Sequence, residues 1–113
     1  MARAATTSDV FNAIAEPRRR EILVLLRAGE RPVTELAQEL RMTQPGASKH
    51  LRVLREVGLV RYRQAGKQRV YGLDARDLRP VYEWTGGFER FWNESFERLD
   101  EYVQDLERAR QEE

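Results

Sequence analysis

The sequence predicts a mainly α-helical fold in which a helix-turn-helix precedes a two-stranded β-hairpin and a long C-terminal helix. Apolar residues recur at helical spacing in four segments before residue 58. After that residue the spacing changes to the alternation typical of strands, and from residue 80 aromatic residues recur at steps of three and four. With 113 residues, the chain has the length of one domain, and we predict a single domain over 1–113.

Three short helices are predicted before residue 41. Glu16 and Pro17 separate the first two, because an acidic side chain can cap a helix and proline fits its first position. Gly29 is a natural stop for the second helix. The run of three arginines that begins at Arg18 opposes the dipole of that helix, which indicates that another partner uses these side chains. The predicted helices span residues 9–15, 17–28 and 33–40, and residues 1–7 are expected to form a frayed arm.

The fourth predicted helix, residues 44–57, follows the third after a tight turn. Thr43 is its expected N-cap, and Gly58 provides a left-handed exit. Two helices joined in this way and followed by a hairpin constitute a winged helix-turn-helix, and the hairpin is the wing. The predicted strands of the wing span residues 59–63 and 69–73.

The C-terminal segment, residues 76–110, is predicted to be a dimerisation helix beside a core of residues 9–75. One long helix over 80–107 holds seven of the ten aromatic residues. Such a stripe exceeds what the small core can cover, and a second copy of the chain would bury it. An alternative is an effector pocket around Gly86-Gly87, which interrupts the pattern. The predicted interface residues are Trp84, Phe88, Phe91, Trp92, Phe96 and Leu99.

Composition argues against most classes of catalytic and metal-binding protein. The chain has no cysteine, which excludes disulfides and thiolate metal sites. Its one histidine, His50, leaves too few ligands for an imidazole zinc site and argues against histidine-dependent nucleophilic catalysis. No membrane-spanning run or signal-like start is present. We predict a cytoplasmic protein that is not an enzyme and has no catalytic residue, metal, cofactor or membrane partner.

Charge is divided between the two parts of the chain. Residues 1–74 carry a net charge of +6 and residues 75–113 carry −5, which together give the net charge of +1. Between residues 41 and 71 there are eight basic residues, and the only acidic one is Glu56. A basic surface beside an acidic segment indicates binding to a polyanion, and we predict double-stranded DNA.

Several motifs resemble the ArsR/SmtB family of bacterial winged-helix repressors. Residues 48–60 read SKHLRVLREVGLV, which is similar to the family signature S-x-H-L-x-x-L-x-x-x-G-L-V. Residues 15–23 read AEPRRREIL, which resembles the family segment A-D/E-P-x-R-x-x-I-L. The C-terminal helix resembles that of a thiol-free branch that includes autorepressors. Founding members sense metals through cysteine pairs or Asp/His sets, and this chain lacks both, so the resemblance carries over DNA binding only.

The resemblance implies that residues 44–57 form the recognition helix, which enters the major groove of DNA. Gln44, Ser48 and His50 match groove-facing positions of the family. The alternative for His50 is a structural or incidental role without a contact to DNA. Lys49 and Arg52 are expected to bind phosphates, and a guanine contact is a second possibility for Arg52. The basic residues of the wing are expected to bind phosphates, and the alternative is that they only keep the protein soluble and protect the edge of the hairpin. The predicted wing contacts are Arg61, Arg63, Lys67 and Arg69.

Together these observations predict a sequence-specific, homodimeric DNA-binding repressor of transcription that recognises an inverted-repeat operator without a cysteine-based metal sensor. Two alternatives stay open. The first is a regulator that responds to an unknown small-molecule or protein effector, with an aromatic pocket as the site for a small molecule. The second is a winged-helix module that binds another protein through the long helix.

Overall fold

The computed structural model of the protein describes residues 9–112, so the arm expected at residues 1–7 lies outside the described part. The helix-turn-helix and the hairpin wing are confirmed. The chain divides between Val81 and Tyr82 into two compact units. The helices are α1 (Val10–Ala15), α2 (Pro17–Leu26), α3 (Val33–Glu39), α4 (Gln44–Glu56), α5 (Arg79–Gly86) and α6 (Glu89–Gln111), the strands are β1 (Arg31–Pro32), β2 (Val60–Ala65) and β3 (Gln68–Leu73), and a 3₁₀ turn spans Ala75–Leu78.

Helices α1 and α2 are joined by arginine side chains. Glu16 caps α2 by accepting a hydrogen bond from the backbone N–H of Arg18 at 2.8 Å. The Arg19 Nε group donates to the carbonyl of Ala13 at 2.6 Å, and Arg20 donates to the carbonyl of Ile14 at 2.8 Å. These carbonyls lie at the end of α1, where the helix leaves acceptors unsatisfied and carries partial negative charge. The arginines that oppose their own helix dipole therefore stabilise the preceding helix.

The core of the first unit collects one apolar face from each of α1 to α4. Ile22, Leu36, Leu51 and Leu54 are fully buried. Leu59, at the entry to the wing, is also fully buried. Because Leu51 and Leu54 are buried, the opposite side of α4 faces solvent.

A residue with left-handed backbone conformation follows the C-terminal end of each of α3 and α4. Arg41, with φ of +54°, ends α3 and begins the tight turn. Gly58, with φ of +82°, ends α4. There the N–H of Leu59 donates to the carbonyl of Leu54 at 2.9 Å and that of Gly58 donates to the carbonyl of Arg55 at 3.0 Å, the two bonds of a Schellman motif.

The sheet has three strands, whereas the sequence predicts two. Its order is β1-β3-β2, and both pairings are antiparallel. Strand β1 is only two residues long, Arg31 and Pro32, and is too short for any periodicity to mark it in the sequence. The hydroxyl of Thr34, just after β1, donates to the side-chain carbonyl of Gln68 on β3 at 3.1 Å. The start of β3, next to the hairpin turn, is thereby tied to the start of α3.

The prediction of one helix over 80–107 is wrong, since the structure has two helices in this region. Helix α5 ends at Gly86 and α6 begins at Glu89. Gly87 donates to the carbonyl of Trp84 at 3.3 Å, and Phe88 donates to that of Thr85 at 2.9 Å, so tight i to i−3 bonds close the first helix. The paired glycines account for the break, because each costs a helix about 1 kcal/mol relative to alanine. The second predicted helix is also shorter, ending at Leu26 instead of Ala28.

Gly58→Ala should lower the free energy of unfolding by about 2 kcal/mol, measured by urea denaturation. Alanine is strained at a positive φ, and its Cβ would overlap the carboxylate of Asp77. Gly66→Ala is the matched control, because Gly66 has φ of +63° but no atom within 4 Å of the added carbon. It should cost about 1 kcal/mol, from strain alone. Equal losses for the two variants would show that the contact with Asp77 has no energetic role.

Candidate DNA-binding interface

Helix α4 presents one polar face whose phase is set by its buried residues. Ala47, Leu51 and Leu54 are buried. The hydroxyl of Thr43 caps the helix by accepting a hydrogen bond from the N–H of Gly46 at 3.1 Å. The exposed polar side chains therefore follow one another at steps of about one turn on the solvent side. They are Gln44, Ser48, Lys49, Arg52, Arg55 and the acidic Glu56.

His50 is placed apart from this face. At about 100° of rotation per residue, its side chain leaves α4 roughly 160° away from that of Arg52. The His50 side chain is half-buried, whereas the preceding residues Ser48 and Lys49, which belong to the polar face, are exposed. A contact between His50 and a base edge stays a prediction, and its position in the helix favours the structural alternative.

The wing has two faces, and the pairing register assigns each cation to one of them. Gln64 pairs with Arg69 and Tyr62 pairs with Tyr71 across the hairpin. Side chains of directly paired residues project on the same side of a sheet, and alternate residues share a side. We call this side the front face of the wing. Its side chains include those of Tyr62, Gln64, Arg69 and Tyr71.

The front face and α4 enclose a cleft lined by five cationic side chains. One part of the cleft lies along α4, and an adjoining part runs toward the tip of the wing; Ser48, Arg69 and Tyr71 line both parts. The adjoining part adds Gln44, Gln64, Lys67 and Gln68. We call the whole feature the helix–wing cleft. Its cationic residues are Lys49, Arg52, Arg55 and Arg69 in the first part and Lys67 in the second.

Aromatic contacts hold two of these cations. The guanidinium carbon of Arg69 lies 4.4 Å from the centroid of the Tyr62 ring, and that of Arg55 lies 4.9 Å from the same centroid. The rings of Tyr62 and Tyr71 are in contact, with centroids 5.5 Å apart. A side-chain hydrogen bond to Tyr71 raises the pKa of Arg69 above its ordinary value.

Arg61 and Arg63 lie on the opposite face of the wing and have protein partners. Arg63 Nε is 3.1 Å from a carboxylate oxygen of Glu30, and Arg61 donates to the carbonyl of Leu73 at 2.7 Å. By contrast, no ion pair to a carboxylate is formed within residues 9–112 by any cation of the helix–wing cleft. These cations therefore keep their full charge for an external anion, whereas Arg63 would first have to leave Glu30.

The sequence-based site lacks Arg55 and Gln64, which line the cleft, and Tyr62, whose ring contacts two of its arginines. Arg55 follows Arg52 by one turn of α4, a spacing that could have indicated it. Gln64 and Tyr62 alternate with Arg61 and Arg63 on β2, so their side of the hairpin is opposite to the one on which those arginines lie. Which side faces α4 depends on the packing of the hairpin, which the sequence pattern alone does not provide.

Comparison with known proteins decides the family. The model of "Bacterial regulatory protein, arsR family" matches residues 16–62. The transcriptional repressor SdpR of Bacillus subtilis is 30% identical over 81 residues, which cover 72% of this chain and 90% of SdpR. The chain belongs to the arsR family.

Other members agree with this assignment. The HTH-type transcriptional regulator NmtR of Mycobacterium tuberculosis is 46% identical over 70 residues, which cover 62% of this chain but only 58% of NmtR, less than two thirds of its length. A crystal structure of an ArsR family transcriptional regulator matches with a TM-score of 0.63 and 30% identity, covering 74% of this chain and 91% of that one. This arsR-family protein is a DNA-binding transcriptional regulator with a winged-helix fold and, as the sequence predicts, not an enzyme.

Two negative findings concern the described residues of this arsR-family protein. Between residues 9 and 112 no group of three or more histidine, cysteine or acidic side chains is arranged to hold a metal ion. Over the same range, no helix is both long and apolar enough to span a membrane.

Arg69→Ala should reduce the steepness of the salt dependence of DNA binding, whereas Arg63→Ala should leave it nearly unchanged. Each phosphate neutralised contributes about 0.9 to the log–log slope of affinity against salt, and Arg69 has no carboxylate partner while Arg63 is paired with Glu30. Fluorescence anisotropy with a random-sequence duplex at several salt concentrations measures the slope. A larger change for Arg63→Ala would show that the back of the wing faces the DNA, in line with the sequence-based prediction for Arg61 and Arg63.

Proposed function

We propose that the protein is a homodimeric repressor that binds an inverted-repeat operator through the helix–wing cleft of each subunit. The observation that carries the proposal is the set of cations in this cleft, none of which is paired with a carboxylate in residues 9–112. A DNA backbone supplies the missing counter-charges along a line of phosphates, and its major groove admits a helix such as α4.

Within this arrangement the residues of α4 have different tasks. Gln44 lies in the first turn, the part of a recognition helix that approaches base edges, and its amide can pair with adenine through two hydrogen bonds. Ser48 lies one turn further and can contact either type of base. Lys49 and Arg52 extend from the same face toward the flanking phosphates. Arg69 and Lys67 complete the phosphate contacts from the wing.

The proposal of a homodimer is supported by the surface of α6. Its apolar residues follow one another at alternating steps of four and three, which is the spacing of a coiled-coil seam. Leu99, at the centre of the seam, is 55% exposed. A second copy related by a twofold axis would cover the seam, and dimeric helix-turn-helix proteins read two half-sites about 34 Å apart, one turn of DNA. The seam consists of Trp92, Phe96, Leu99, Val103 and Leu106, all of them exposed.

Repression follows from occupancy of the operator. A dimer that fills two successive major grooves at a promoter excludes the polymerase from the same DNA. Similarity to the transcriptional repressor SdpR supports repression over activation. The remaining predicted interface residues, Trp84, Phe88 and Phe91, lie before or at the start of α6 and outside its seam. An effector pocket beside Gly86-Gly87 stays a prediction.

Gln44→Ala should relax sequence preference, whereas Arg52→Ala should weaken binding to all duplexes alike. Loss of a two-bond contact to a base lowers discrimination by about 1–3 kcal/mol, and loss of a phosphate contact removes affinity without regard to sequence. Operators are first selected from a pool of randomised duplexes. Each variant is then titrated with the selected and a scrambled duplex. If Gln44→Ala retains the full preference for the selected duplex, the proposed orientation of α4 is wrong.

Leu99→Glu should dissociate the dimer, raising its dissociation constant by roughly a hundredfold, because the interface would have to bury an unpaired carboxylate at a cost of about 3 kcal/mol. Sedimentation equilibrium measures the constant. Gln104→Glu is the matched control, since it introduces the same group on α6 about 120° away from the seam. A dimer that tolerates Leu99→Glu as well as Gln104→Glu would place the interface elsewhere.

A further inference from the structure

Tyr62 lies at the junction of the recognition helix and the wing. It is on β2, while the two guanidinium groups that contact its ring come from α4 and from β3. The third ring partner, Tyr71, is 4% exposed and belongs to the core. The half-buried Tyr62 ring therefore rests on a fixed residue and offers its remaining surface to Arg55 and Arg69.

The two arginines need such a support, because they carry like charges in the same cleft. In the described residues neither of them has a carboxylate partner, and a free arginine side chain has many rotamers in solution. An aromatic ring attracts a guanidinium without neutralising its charge. Stacking on Tyr62 thus orders both groups without using any of their hydrogen-bond donors; Arg69 shares one donor with Tyr71, and its others are available for an anion. An acidic partner in the same place would order them but would cancel the charge that binds phosphate.

We propose that Tyr62 is a positioning residue for DNA binding, which holds Arg55 of the recognition helix and Arg69 of the wing in the orientation that binds backbone phosphates. This inference rests on the proposed function of the helix–wing cleft. Tyr62 itself lines neither part of the cleft, so it acts through the two arginines. The ring also links α4 to the hairpin, and the phosphates bound on the two sides of the cleft are therefore kept at a fixed spacing.

The test compares Tyr62→Leu with Tyr62→Phe by the salt dependence of binding to a random-sequence duplex. Tyr62→Phe keeps the ring and should keep the wild-type slope. Tyr62→Leu should reduce the slope by up to about 1.8, which corresponds to two phosphates at about 0.9 each. Circular dichroism melts show whether each variant is folded. A purely structural role would change stability without changing the slope of the folded protein, so an unchanged slope for Tyr62→Leu overturns the inference.

A double-mutant cycle separates an action through the arginines from a general effect on the wing. Arg69→Ala should reduce the slope in the wild-type protein but have little further effect in Tyr62→Leu. Lys67→Ala is the matched control: Lys67 lines the cleft but makes no contact with the Tyr62 ring, so its loss should reduce the slope equally in both backgrounds. Additive effects of Arg69→Ala and Tyr62→Leu would overturn the inference.

A measurement on the unaltered protein covers the case in which Tyr62→Leu does not fold. The Nε–Hε signals of Arg55 and Arg69 in a nitrogen–proton spectrum should be shifted upfield by the ring, relative to that of Arg52 in the same cleft. Signals of all three arginines at the position of free arginine would overturn the inference. Failure of the wild-type protein to bind any duplex at low salt would overturn the proposed function and this inference together, whereas intact wild-type binding with an unchanged Tyr62→Leu slope would overturn the inference alone.

Discussion

The pairing of Tyr62 with Tyr71 across the hairpin is the interaction on which the rest of the interface depends. Tyr71 is buried in the core, so it fixes which residues of β3 face inward. The register then directs Arg69 toward α4 and leaves Arg61 and Arg63 on the other side. A slip of one residue would exchange the two faces and would bring a different set of cations to the recognition helix. The packing of two aromatic rings thus determines that the charge of Arg69 lies on the side of the hairpin that faces α4.

The distribution of charged residues and of their partners determines where an anion can bind. The net charge of +1 conceals a basic first part and an acidic second part of the sequence. Within the basic part, the structure separates cations with protein partners from cations without carboxylate partners. Arg19 and Arg20 bind the carbonyls at the end of α1, and Arg63 binds Glu30. Five cations without a carboxylate partner in residues 9–112 lie in the helix–wing cleft. A count of basic residues overstates the number available for DNA, because several of them stabilise the fold.

Sequence patterns predicted the elements that bury a full apolar face and missed those defined by contacts between distant residues. The faces of α3 and α4 and the alternation of the hairpin are long enough to show their periods. Strand β1 has two residues and shows none. Gly86-Gly87 marks the break between α5 and α6, but aromatic residues continue at helical spacing on both sides of the two glycines, and this pattern predicts one helix.

The candidate site was predicted only to the extent that residue type and helix phase determine it. Gln44, Ser48, Lys49 and Arg52 share an exposed face that follows from the buried leucines of α4. His50 lies in the same motif but leaves the helix in another direction, since a motif records residues and not their angles. Arg55 and Tyr62 are connected only through the folded hairpin. Their contact required the register and packing of β2 and β3.

The proposed role of the helix–wing cleft requires that the protein bind DNA with a preference for sequence. Fluorescence anisotropy of the unaltered protein at two salt concentrations measures this, with a duplex from upstream of its own gene and with a scrambled duplex of the same composition. We expect binding to both duplexes at low salt, a steep loss of affinity at the higher salt, and tighter binding to the native duplex. Absence of binding to either duplex at low salt would contradict the claim.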